Sequence, residues 1–139
     1  MSIRISLMSI PVDDQAKALD FYTNTLGFET KHDRAMGGPY RWLTVTSPAG
    51  PEGVELLLEP NAHPATQAHQ SALYADGIPH AQFFVDDIEA VYDRLRARGV
   101  RFKGPPARMG DAKAAIFDDT CGNWIILTQE LPIEDAASE

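Results

Sequence analysis

The sequence predicts an α+β fold built from two βαβββ modules. Two observations carry that reading. Val12-Asp13-Asp14 opens an amphipathic stretch that closes at Leu26-Gly27-Phe28, and Val85-Asp86-Asp87 opens a second that closes at Arg98-Gly99-Val100. Each stretch follows a short apolar run and precedes strand-like segments. A repeat at this spacing in a chain of 139 residues fits one domain made of two similar halves.

The elements follow from local pattern. Residues 3–12 alternate loosely and are rich in Ile, Val and Met, which predicts a strand. Asp13 or Asp14 is the expected N-cap of the helix that follows, where Ala16, Leu19, Phe21, Tyr22 and Leu26 recur at helical spacing and Gly27 supplies the C-cap. Phe28 to Arg34, Tyr40 to Thr46 and Val54 to Glu59 are expected strands, separated by turns at Met36-Gly37-Gly38-Pro39 and Ser47-Pro48-Ala49-Gly50-Pro51. Residues 61–77 form a connector whose centre, Ala65 to Tyr74, is a short helix.

The second copy runs in parallel. His80 to Val85 is a strand, and Ile88 to Arg98 is a helix with Ile88, Val91, Tyr92 and Leu95 on one face. Val100 to Phe102, Ala112 to Phe117 and Trp124 to Gln129 are expected strands, the last two joined by Asp118-Asp119-Thr120-Cys121-Gly122-Asn123. Residues 131–139 are acidic and alanine-rich, and are expected to be a disordered tail.

Composition narrows the function. A net charge of −8 argues against nucleic acid as a partner, since phosphate binding needs clustered Lys and Arg. The same charge argues against anionic membrane surfaces, and no apolar run approaches the roughly 20 residues of a membrane span. The N-terminus lacks the pattern of a signal peptide. A single cysteine, Cys121, fits a reduced, cytoplasmic setting.

The arrangement resembles the vicinal oxygen chelate superfamily, which includes glyoxalase I, the bleomycin- and fosfomycin-resistance proteins and extradiol dioxygenases. In the first copy the resemblance rests on Val12-Asp13-Asp14, Ala18-Leu19-Asp20-Phe21-Tyr22 and Leu26-Gly27-Phe28. In the second it rests on His80, Phe84-Val85-Asp86-Asp87, Leu95 with Gly99-Val100, and Phe117-Asp118-Asp119 with Gly122-Asn123. It implies a single glyoxalase-like domain over residues 1–130, with modules at 1–60 and 78–130. The modules would form a cup-shaped mixed sheet with helices on the outside, and the chain would pair as a homodimer.

In metal-dependent members, the first and last strands of each module each give one ligand to a divalent metal. Carried over position by position, these sites fall on Leu7, Glu55, His80 and Ile126, with Glu59 as the alternative to Glu55. Leucine and isoleucine donate nothing, and a protein-held metal needs about three side-chain donors. The first expectation is therefore a protein that binds a small, partly apolar or aromatic molecule in the cup, without an intact metal site and without a cofactor. The alternative is a lyase or isomerase of the glyoxalase type, using a divalent metal held by His80 and Glu55 and the same two side chains in catalysis. A third reading is a structural dimerisation module.

Strand alternation assigns the faces. Met8, Ile10 and Val12 suit the helix side, which turns Leu7 and Ser9 to the other face. Glu55, Leu57 and Glu59 share that face on their strand, as do His80, Gln82 and Phe84, and Trp124, Ile126 and Thr128 on theirs. Trp42 and Trp124 offer stacking surfaces for a planar ligand, with ordinary core packing the equal alternative for Trp124. Ligand contacts are therefore expected from Leu7, Ser9, Trp42, Gln82, Phe84, Trp124 and Ile126. Arg41 reads as a solvent-facing or salt-bridging arginine ahead of a clamp for an anionic group, His32, His63 and His69 as surface residues, and Cys121 as a structural or incidental thiol. No phosphate-binding glycine loop and no nucleophile elbow is present.

Overall fold

The computed structural model describes residues 1–132. Residues 133–139, most of the predicted acidic tail, lie outside the described residues. The chain divides into two compact units, Met1–Ser71 with Thr120–Gly122, and Ala72–Asp119 with the residues from Asn123 on.

The first unit carries β1 (Leu7–Val12), α1 (Gln15–Asp20), β2 (Glu29–Ala35), β3 (Arg41–Thr46) and β4 (Glu55–Pro60). Asp14, in extended conformation at φ −153°, caps α1 by accepting from the Lys17 amide. The helix then widens into a single π-type turn over Phe21–Thr25, which buries Phe21 and Tyr22. Gly27 ends it at φ +86°, a conformation that a side chain would strain. The strands form a sheet in the order β1-β4-β3-β2, with β1 and β4 parallel and the other pairs antiparallel. Ile10, Val12, Leu43, Val45 and Leu58 lie on its helix side and are fully buried with Ala18 and Tyr22. Each of the Ile, Val and Leu side chains contributes about 1.5–3 kcal/mol on burial.

The second module repeats the plan. Its elements are β5 (Pro79–Phe84), α3 (Ile88–Ala97), β6 (Ala107–Met109), β7 (Ala112–Asp118) and β8 (Trp124–Glu130), in the sheet order β5-β8-β7-β6. Asp87 caps α3 through the Ala90 amide, and Gly99 follows at φ +88°. In both copies the second aspartate of Val-Asp-Asp is the cap. Phe117 anchors the helix side, 5.7 Å from the Phe102 ring, which in turn meets Tyr92 edge-on at 4.7 Å. The connector helix α2 (Pro64–Ala75) buries Gln70.

Two expectations are corrected. The first strand begins at Leu7 rather than residue 3, and Ile3 and Ile5 are 82% and 79% exposed. Alternation alone makes no strand where no ladder bonds form, and the parallel register with β4 starts only at Leu7. Residues 100–102 are not a strand either. The Val100 amide closes the end of α3 onto the Leu95 carbonyl, and Phe102 makes one isolated bridge to Phe117. The strand that completes the module is β6, beyond Gly104-Pro105-Pro106, because the prolines lack the amide protons a ladder needs.

Candidate ligand-binding face

Strand pairing places Leu7, Ser9, Trp42 and Glu55 in the first unit, and Gln82, Phe84, Trp124 and Ile126 in the second, on the sheet face turned away from the module's helix. In the first unit, Leu7 pairs with Glu55, and Ser9, Leu57, Thr44 and His32 line up as a row across all four strands. Trp42 and Arg34 pair one step further along the β3–β2 ladder. This face therefore mixes Leu7, Leu57 and the half-buried Trp42 with a few polar groups.

Its centre is a carboxylate. The buried Thr44 hydroxyl donates to Glu55 Oε1 at 2.7 Å and accepts from the His32 amide at 3.2 Å. His32 Nε2 stands 3.7 Å from the same oxygen, with the two side chains 40% and 22% exposed. Glu59, the alternative to Glu55, is exposed at the strand end beside Pro60. His32, expected as a surface residue, is brought beside Glu55 by the β2–β3 pairing. The signal that finds it is its cross-strand partner Thr44, which becomes visible only once the β2–β3 register is fixed.

In the second unit, Gln82, Phe84, Trp124, Ile126 and Thr128 share one face, as predicted. Gln82 donates to the Thr128 hydroxyl at 2.7 Å, and Phe84 is 60% exposed. Trp124 is only 8% exposed. Tyr74 stacks on it at 5.0 Å, and Arg101 and Lys103 each approach its ring to 5.2 Å. His80 sits at an irregularity between Pro79 and Ala81 in the β5–β8 ladder, half-buried. Arg41 lies on the helix side, 3.2 Å from Asp33, in the ion pair expected of it. Its neighbours Asp14, Gln15, Tyr40 and Pro60 line a depression of about 260 Å³ there.

The four positions carried over from metal-dependent relatives can be tested against the donor requirement. Glu55 has Leu7 as its ladder partner, and Ile126 has Gln82. Glu55 and His32 give the first face two donors, short of the three that a protein-held divalent metal needs. Among the described residues, no group of three or more His, Cys, Asp or Glu side chains is placed to hold a metal ion. The donor set of neither module fits such a metal. Among the described residues, no helix is long and apolar enough to cross a membrane.

Comparison with known proteins agrees with this architecture. The uncharacterized protein YurT of Bacillus subtilis (strain 168) is 47% identical over 128 residues, covering 92% of this chain and all of that protein. The crystal structure of UcmS2 superposes with a TM-score of 0.78 at 38% identity, over 94% of this chain and 100% of that one. TnmS3, an antibiotic binding protein from Streptomyces sp. CB03234, superposes with a TM-score of 0.73 at 32% identity, over 94% and 98% of the two chains. The family model for the Glyoxalase/Bleomycin resistance protein/Dioxygenase superfamily matches residues 4–127, and the chain belongs to that superfamily.

Proposed function

We propose that this protein binds a small planar molecule, partly apolar or aromatic, and does so without a protein-held metal. The observation that carries the reading is the composition of the first sheet's helix-free face. Leu7 and Trp42 share that face with one carboxylate, Glu55, which is already engaged by Thr44. Apolar and aromatic walls with a few fixed polar groups are the usual make-up of a small-molecule site. Likeness to an antibiotic binding protein supports the binding of a small molecule. Trp42 is the stacking surface in this reading, because Tyr74 already occupies Trp124. Gln82, Phe84, Ser9 and Ile126 are further contacts on their respective faces, and the protein works as a cytoplasmic homodimer.

Two measurements test it together. Thermal shift against a panel of planar aromatics should raise the melting temperature with at least one ring system. Metal analysis of protein purified without chelator should find no stoichiometric Zn, Ni, Mn or Fe. A stoichiometric metal lost in His80→Ala or Glu55→Gln would overturn the metal-free reading in favour of the lyase or isomerase alternative, in which His80 and Glu55 would hold a metal supplying Lewis-acid chemistry.

A further inference from the structure

Glu55 is held in a way that commits one oxygen and spares the other. Oε1 accepts from the Thr44 hydroxyl at 2.7 Å and faces His32 Nε2 at 3.7 Å. The Thr44 hydroxyl has its own orientation fixed, because its lone pair takes the His32 amide at 3.2 Å and its proton is left for Glu55. Thr44 is fully buried, so this hydroxyl gains little from switching to water. Among the described residues, Oε2 accepts no hydrogen bond. A carboxylate offers acceptors only, and this one is aimed before any ligand arrives.

Its surroundings define what it reads. Leu7 is its partner across the β1–β4 ladder and offers no donor, and the half-buried Trp42, two residues from Thr44 on β3, gives aromatic surface on the same face. A flat apolar molecule laid there covers the carboxylate. If the molecule carries a hydrogen-bond donor at its edge, the charge-assisted bond replaces water. If it carries none, an acceptor is desolvated without a partner, and that penalty is what makes such sites selective.

The geometry points to Glu55 as the specificity-determining acceptor for planar aromatics bearing a hydroxyl donor, with Thr44 as the residue that positions it. This rests on the binding function proposed above. The test compares two probes that differ only in the donor, 2-naphthol and 2-methoxynaphthalene, by calorimetry on the full chain. The wild-type protein should prefer 2-naphthol by about tenfold or more, as expected of a hydrogen bond to a charged acceptor. Glu55→Leu should bring the ratio to about one, with the 2-methoxynaphthalene affinity rising because no acceptor is left to desolvate. Glu55→Gln, which keeps the shape and one acceptor, should lower the ratio to about threefold and serves if the leucine variant does not fold. Equal affinities in the wild-type protein, a ratio that survives both substitutions, or binding of neither probe overturns the inference. The function proposal falls separately, if no ring system of the wider panel binds.

Discussion

Tyr74 lies parallel to Trp124, with ring centroids 5.0 Å apart and planes inclined by 11°, and the Trp124 indole donates to the Tyr74 carbonyl at 3.0 Å. The end of the connector helix thus covers a tryptophan that strand alternation points away from α3. The Tyr74 hydroxyl completes the contact by donating to Asp118 at 2.6 Å and accepting from Arg101 at 2.9 Å.

That hydroxyl makes an alkaline stability signal. The bond to Asp118, then burial, pushes the Tyr74 pKa above its ordinary 10.0. The folded chain therefore holds the phenolic proton to higher pH than the unfolded chain does. The stabilisation is complete below pH 10.0 and is lost as pH rises through the raised value. Tyr74→Phe should lower stability by about 1 kcal/mol at neutral pH. The difference from wild type should shrink steadily in denaturant melts above pH 10.0. Parallel curves across that range would contradict the assignment.

Gln70 is the brace of the first unit. Its amide nitrogen donates to the Pro11 and Cys121 carbonyls at 3.0 and 3.2 Å, and its oxygen accepts from Asn61 at 2.8 Å. It is 4% exposed, so truncation strands buried polar groups. Gln70→Ala should cost about 2–3 kcal/mol in urea unfolding, whereas an exposed neighbour such as Ser71→Ala should change little.

Thr120 is a β-branched residue at φ +65°, where side chains crowd the backbone. Thr120→Gly should relieve that strain and stabilise the chain by about 0.5–1 kcal/mol despite the added freedom of the unfolded state. A lower melting temperature in this variant would show that the Thr120 side chain contributes more than the strain costs.

The scaffold was legible in the sequence because it is written in local signals. The doubled Val-Asp-Asp caps and the glycines at 27 and 99 each act within a few positions, and these appear where expected. What the sequence hid depends on partners distant along the chain. His32 looks like a surface histidine until β2 pairs with β3 and brings it beside Thr44 and Glu55. Trp124 reads equally well as core or as a ligand platform until α2 delivers Tyr74 onto it. The strand at Ala107–Met109 is only three residues long, too short for a periodic pattern, whereas Val100 and Phe102, either side of Arg101, alternate as strand residues would.

The most direct test of the account is tryptophan fluorescence of chelator-treated protein titrated with 2-naphthol or the ring system that gives the largest thermal shift. Trp42 and Trp124 are the only tryptophans. The account predicts saturable quenching that is unchanged by the chelator, persists in Trp124→Phe and disappears in Trp42→Phe. Quenching that requires added divalent metal, or that survives in Trp42→Phe and vanishes in Trp124→Phe, would contradict it.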